Sequence, residues 1–430
     1  MNRNFLILRS VAFAFVTKLS GGATVFISLP IVSHGLSSAD YASFLMTINI
    51  TATAGLLFYT FGILYVRELA HAFAIEDPRV VIVAVRNTFG SHMTLTAGVA
   101  LCLAIGVLAA GNMIALNGAI LVGILFNLVQ MAATWGQIYR AAARTDYVSS
   151  IVQTISNISM VSCLFLLSRN DGLSALSASG AFFGIPAAAE LFIFFQLVIS
   201  KHIDFKIDKK AIYAFIARIP ECIPLSLSPI ADYVKLYASS MIVFFTSNSY
   251  DYILFSASMI LMSRLVSPIT LITRPIMPAF IDALHREDAA WLRGLKKALF
   301  GAAAAGAALA TVLPFCISKE IVSFAFPKEA RDVSLLYISF CSYFAFAYAL
   351  VALLAPLYIG ARRASLYGIT NLGFTLGGAA IGGLLCSGFG APAMMGALAI
   401  TTTICAIYLL ASMSWARDPQ ALKGVDDRRP

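Results

Sequence analysis

Eight charged side chains interrupt the apolar runs of this sequence. Lys18, Glu190, Asp232, Lys235 and Arg264 fall near the middle of such runs, and Arg218, Glu221 and Arg274 fall toward one edge. A charge at the centre of a bilayer costs about 2.5–3.5 kcal/mol on insertion scales, so it is expected to face a cavity or a partner. Arginine's planar fork matches the oxygens of a phosphate, and lysine adds a point charge. Lys18, Lys235 and Arg264 are therefore read as contributors to an anion-binding cavity, with Arg274 a lesser one able to snorkel to the interface. A second reading stays open. Asp232 and Lys235 are three residues apart, as are Arg218 and Glu221, so each pair shares a helical face and can form an ion pair. Arg264 has no acid at such spacing. Glu190, in "AAAELFIF", is a lone mid-run carboxylate that could carry a coupling proton or pair with a cation of another span.

Prolines mark where such a site could move. Pro220, Pro224 and Pro229 precede the Asp232–Lys235 pair, and Pro268 follows Arg264. Each removes a ladder donor and clashes with the preceding turn, so the segment is expected to kink or break. This reads either as a gate or as a static irregular span packed by its neighbours. Tyr59, Tyr233 and Tyr237 are candidates for stacking on sugar rings. The seven cysteines lie in or beside apolar runs without metal-ligand spacing, the five histidines are scattered, and no GxxxxGK[ST] occurs. No metal, cofactor or nucleotide site is expected.

The elements that would position these groups are membrane helices. The chain is 60% hydrophobic and 12% charged, with mean hydropathy +0.85. Soluble domains carry about 25% charged residues. Crossing about 30 Å of hydrocarbon takes roughly 20 apolar residues. Runs of that length fall near 10–33, 41–66, 88–110, 115–138, 147–168, 173–199, 212–245, 250–279, 295–316, 333–359, 365–387 and 391–414, giving twelve expected spans. The long seventh invites a reading as two broken pieces. Lys18 interrupts the first run, which argues for an uncleaved span over a signal peptide. Of the 30 lysines and arginines, 21 lie in the termini and one set of alternate loops. Only Arg169, Lys319, Lys328 and Arg331 lie in the other set. The bias predicts cytoplasmic termini. It also accounts for the net charge of +9 without nucleic acid.

The chain resembles itself. Asp40, Tyr41 and Phe44 recur 211 residues later as Asp251, Tyr252 and Phe255, and Glu76-Asp77 as Glu287-Asp288. Tyr139 and Arg144 pair with Tyr358 and Arg363 at a shift of 219. An all-α integral membrane protein follows, with about twelve transmembrane helices in two parallel six-helix lobes around a central cavity. The lobes are expected over 1–200 and 212–414, joined by a cytoplasmic linker at 201–211 ("SKHIDFKIDKKA" from Ser200) and followed by a tail at 415–430. Gly373, Gly377, Gly378 and Gly382, and the stretch Gly301 to Ala310, predict close helix packing.

"SLPIVSHGLSSADYASFLM", Ser28 to Met46, resembles the start of Wzx-type polysaccharide flippases of the multidrug/oligosaccharidyl-lipid/polysaccharide (MOP) exporter superfamily. It departs from their pattern in having Ala42 where glycine is usual. "RPIMPAFIDAL" and "PLYIGARRASLYG" resemble that family's exit from span eight and its junction between spans ten and eleven. The resemblance implies flipping of a polyprenyl-diphosphate-linked oligosaccharide across the bacterial inner membrane for O-antigen or exopolysaccharide synthesis. It further implies no tightly bound cofactor, and partners among membrane lipids, polysaccharide polymerase and export machinery. The alternatives are a cation-coupled multidrug exporter of the same superfamily and a membrane-embedded polymerase or ligase. Cationic drugs call for acids in the cavity, where the first span offers Lys18. The enzymes usually carry a large exported loop, whereas the longest one here runs only from about Ile317 to Asp332.

Overall fold

A computed structural model describes residues 3–75, 77–110, 118–143, 145–170, 172–201, 209–266, 288–316, 333–361 and 363–413, with Phe280, Ala283 and Arg286. Among these residues the chain is helical and has no strand. The helices are α1 (Arg3–Gly35), α2 (Ser38–Ile75), α3 (Pro78–Ala110), α4 (Gly118–Ala133), α5 (Trp135–Ala142), α6 (Asp146–Arg169) and α7 (Ala175–Lys201). Then come α8 (Lys209–Tyr233), a π-helical turn (Val234–Ala238), α9 (Ser239–Thr246), α10 (Ser249–Val266), α11 (Ala289–Cys316), α12 (Leu335–Gly360), α13 (Ala364–Phe389) and α14 (Ala391–Ala411). With α4 joined to α5 and α8 to α9, these make twelve successive segments, one for each expected span. Nine candidate spans among the described residues are long and apolar enough to cross a membrane. Their outer faces are apolar too: Ile199 is 73% exposed and Leu384 82%. Apolar surface on this scale needs lipid around it. The protein is a multi-pass, all-α membrane protein.

Residue contacts divide the chain into two units, Met1–Pro229 and Ile230–Pro430. The boundary lies near the end of α8, whose residues up to Pro229 belong to unit 1. There Phe215 stacks on Phe61 of α2, with ring centroids 5.0 Å apart. Most of the expected linker, 202–208, lies outside the described residues, as does the tail from 414.

The units share one packing order. In unit 1, α1 packs on α6, α6 on α7, α7 on α4, and α4 on α2 and α3. In unit 2, α9 packs on α13, α13 on α14, α14 on α12, and α12 on α10 and α11. The repeated sequence pieces have repeated jobs. Asp40 and Ser37 cap α2 reciprocally, the Asp40 N–H donating to Ser37 Oγ at 3.1 Å and the hydroxyl to Asp40 Oδ2 at 2.7 Å. At α10 the Asp251 N–H donates to Asn248 Oδ1 at 2.9 Å, while Asn248 Nδ2 and Ser247 Oγ donate to Asp251 Oδ2. The residues that follow, Tyr41 and Phe44 in one copy and Tyr252 and Phe255 in the other, are buried. Asp77 and Asp288 cap α3 and α11 by accepting the N–H of Arg79 and of Trp291.

The third repeat is misaligned by one residue when matched on Tyr139 and Arg144. The turn after α5 is closed by Ala143 N–H to the Tyr139 carbonyl and Thr145 N–H to that of Arg140. After α12 the same bonds run from Ala361 to Leu357 and from Arg363 to Tyr358. The shift is therefore 218, and Arg140, not Tyr139, corresponds to Tyr358. Side-chain identity misled here because the turn is specified by its backbone bonds.

Two further expectations need correction. The helix runs unbroken through Pro220, Pro224 and Pro229, and the irregularity comes afterwards, as the π-turn. The seventh span is one continuous helical run rather than two pieces. Of the four α13 glycines expected to pack closely, Gly378 and Gly382 meet α14: a Cβ on them would lie 3.3 Å from the Ala397 carbonyl and 3.0 Å from Met394 Cα. Gly373 and Gly377 have nothing within 4 Å of such an atom. The Gly301–Ala310 stretch is likewise mixed, since Gly306 abuts Phe346 of α12 while Gly301 is open.

Candidate functional site

In unit 1 the charge at membrane depth is Glu190, on the side of α7 that faces α5 and α6. It is 3% exposed. Its Oε1 accepts from Gln137 Nε2 of α5, and from Gln153 Nε2 of α6 at 3.3 Å. Its other oxygen, Oε2, is shielded from solvent and has no hydrogen-bond partner among the described residues. Burying a carboxylate is costly unless its lone pairs are satisfied, and here only half are. Close by, α1 is tied to α6 by neutral groups. Thr17 Oγ1 lies 2.9 Å from the Ser150 carbonyl and 3.2 Å from Thr154 Oγ1, and Asn157 Nδ2 donates to Ser20 Oγ at 3.1 Å. Lys18 is on α1 in this neighbourhood of the sequence, but its side chain lies outside the described residues.

In unit 2 the charge is Lys235, in the π-turn, 1% exposed. Its Nζ donates to Asn371 Oδ1 of α13 at 2.5 Å and lies 3.8 Å from Asp232 Oδ1. The ammonium also sits 5.5 Å from the centroid of the Tyr348 ring of α12. The Asp232 side chain is 36% exposed, so one end of the pair is open while the cation is sealed. Ser239 Oγ donates to the Val234 carbonyl at 2.8 Å, satisfying a backbone group that the irregular turn leaves available. Of the two readings open to Lys235, the geometry gives the ion pair. An ammonium enclosed by a carboxylate, an amide and a ring is not offered to a phosphate.

Arg264 is placed differently. It lies in the last turn of α10, its side chain is exposed, and no described acidic residue pairs with it. Arg274, Pro268 and Pro275 lie outside the described residues, as do the side chains of Arg218, Glu221, Pro224 and Tyr59. Pro220 is exposed and Pro229 half-buried on α8. Tyr233 and Tyr237 stack on each other, with centroids 6.0 Å apart and planes 26° from parallel. Within unit 2, Lys235 is paired with Asp232 while Arg264 stands exposed on α10; the Lys18 side chain of the expected cluster lies outside the described residues.

The sequence reading missed the amides, Gln137, Gln153 and Asn371, because they do not titrate. A signal for two of them was present. At the corrected shift of 218, Gln153 falls on Asn371, so the duplicated helix brings an amide to the buried charge in each copy.

No protein-family model matches this sequence, and no curated protein matches it by sequence. Solved structures match its fold over nearly the whole chain. An inward-facing multidrug resistance MATE family transporter of the MOP superfamily shares 13% identity over 99% of this chain and 96% of its own, with a TM-score of 0.67. The lipid II flippase MurJ, in an inward closed conformation, shares 16% identity over 95% and 87%, with a TM-score of 0.62. A MOP superfamily transporter from Pyrococcus furiosus, described as having a binding pocket of reverse polarity, shares 12% identity over 97% and 96%, with a TM-score of 0.60. At these identities the likeness is one of fold.

Proposed function

We propose that this chain, which shares its fold with MOP superfamily transporters, flips a polyprenyl-diphosphate-linked oligosaccharide across the bacterial inner membrane by alternating access, with both termini cytoplasmic, and that it transports rather than catalyses. The observation that carries this reading is Arg264, an exposed arginine on α10 with no described carboxylate against it. An unneutralised guanidinium suits a diphosphate, whose oxygens it can bind bidentately. It does not suit a cationic drug. The fold likeness to a lipid II flippase adds support, as does the repeated six-segment unit, an architecture on which rocking of two halves is built. Glu190, with one oxygen unpartnered, is the group we assign to a coupling proton. The polysaccharide polymerase and export machinery would take the product.

The multidrug reading retains one observation in its favour, the equally close likeness to MATE transporters. One experiment separates the two. Proteoliposomes containing the purified protein are loaded with lipid-linked oligosaccharide extracted from the native cells, and its movement between leaflets is followed. Flipping that falls about tenfold or more in Arg264→Ala is expected, the loss of a charge-assisted hydrogen bond. Absence of flipping, together with drug sensitivity of a deletion strain, would move the assignment to the exporter class.

A further inference from the structure

Unit 1 contains a cleft that neither buried charge explains. It lies between α2 and α4–α5 and encloses about 590 Å³, within the range of small-molecule sites. The α2 wall presents Gly55, Phe58 and Gly62. A Cβ on Gly55 would meet nothing within 4 Å, so the space above it is open. The opposite wall presents Asn127, Gln130, Thr134 and Gln137. Their intervals of three, four and three residues put all four on one helical face.

Neutral hydrogen-bonding side chains on a membrane helix are costly unless something satisfies them. Thr134 Oγ1 donates to the Gln130 carbonyl at 2.8 Å and Gln137 Nε2 to Glu190, which leaves Asn127 and Gln130 as the groups to meet a ligand. Asn127 Oδ1 is shielded from solvent and has no hydrogen-bond partner. The helix itself is interrupted at this wall. The Thr134 N–H is shared between the Gln130 and Met131 carbonyls at 2.9 and 3.2 Å, and the Thr134 carbonyl receives both Gln137 and Ile138 N–H groups. No ionisable side chain is among the described residues lining the cleft. It therefore does not match a diphosphate or a cationic drug. Amides both donate and accept, and so do hydroxyls. A flat glycine surface with Phe58 beside it leaves room for a ring whose faces are apolar and whose edge is polar.

We propose that this cleft is a sugar-binding site, holding the neutral, hydroxyl-rich part of the cargo while cations elsewhere hold the phosphates. The inference rests on the cargo reading above. Gln137 belongs both to the cleft wall and to the Glu190 hydrogen bonds, so a sugar in the cleft lies one amide away from the buried carboxylate.

The test uses the full chain in lipid nanodiscs and two probes: lipid-linked oligosaccharide extracted from the native cells, and polyprenyl diphosphate without sugar. The variant is the Asn127→Leu, Gln130→Leu pair, with Asn127→Ala as a milder second. Wild type is expected to bind the sugar-bearing lipid more tightly. The paired variant should lose about tenfold for that lipid, the loss of one to two neutral hydrogen bonds, and Asn127→Ala a smaller part of it. Affinity for the sugar-free lipid should stay the same in all three proteins, which also reports that the variants are folded. Equal loss for both lipids, or no loss for either, overturns the cleft assignment and leaves the flippase reading standing. Wild type that binds neither lipid overturns both.

Discussion

Each unit buries a charge against an amide of its fifth helical segment, Glu190 against Gln153 of α6 and Lys235 against Asn371 of α13, yet these two charges are treated in opposite ways. In unit 2 the Lys235 ammonium is closed off by Asp232, Asn371 and the Tyr348 ring. In unit 1 the Glu190 carboxylate is held at one oxygen by Gln137 and Gln153 and left unpartnered at the other. A charge whose partners are built into the chain contributes to holding helices together. A charge with an unmet oxygen is costly to stability on its own terms. Such residues persist in membrane helices chiefly where function requires them. The corresponding helices α6 and α13 thus each give an amide to a buried charge, but the charges stand on helices that do not correspond, α7 in unit 1 and the π-turn after α8 in unit 2.

That contrast can be broken by removing the charges one at a time. Lys235→Met leaves a half-open carboxylate and a buried amide without their cation, and a loss of about 1.5–3 kcal/mol is expected, that of a hydrogen bond to a charged group. Thermal unfolding in detergent would show it, and Asp232→Asn in the same chain should restore much of it. If Lys235→Met is as stable as wild type, the link in unit 2 is not structural. Glu190→Gln should do the reverse. Stability is expected to change by no more than about 1 kcal/mol, while flipping driven by an imposed pH gradient falls at least about tenfold, roughly 1.4 kcal/mol. Undiminished gradient-driven flipping would remove Glu190 from coupling.

The amides sharpen the comparison. Asn371→Ala removes a hydrogen bond to an ammonium and should cost about 1.5–3 kcal/mol. Gln153→Ala, at the corresponding position, removes the longer of two bonds to Glu190 and should cost about 1 kcal/mol. Equal costs would mean that the two copies hold their charges alike. Smallest of all, Asp40→Ala and Asp251→Ala each delete a reciprocal cap and are expected to cost about 1 kcal/mol. Matching melting-temperature shifts for these two would show that the duplicated caps remain equivalent where the charges have diverged.

The twelve spans were legible because hydrocarbon thickness sets a minimum length that hydropathy reports directly. Helix ends were less so. The second run stops near 66 by hydropathy while α2 continues to Ile75, and α3 begins at Pro78, ten residues before its apolar stretch. Hydropathy marks where lipid ends, and a helix can continue into water. The prolines of α8 predicted a break that the helix does not make, since neighbouring groups can satisfy what a proline frees. The buried charges were legible by type and depth. Their partners were not, because Asn371 lies 136 residues from Lys235 and Gln153 lies 37 from Glu190, and neutral amides leave no mark in a charge pattern. Arg264 could be placed as a candidate from its lack of a nearby acid, and its side chain is exposed on α10.

The π-turn at Val234–Ala238 bears on how the two copies came to differ. Such a turn holds one residue more than the α-turn it replaces, and α1, its counterpart, runs from Arg3 to Gly35 without one. The turn therefore adds one residue to this helix within a window of five, and Lys235 lies inside that window. Deleting one residue there would let the helix close as ordinary α with its flanks still in line. The same deletion elsewhere in α8 or α9 would turn one end by about 100° against the other.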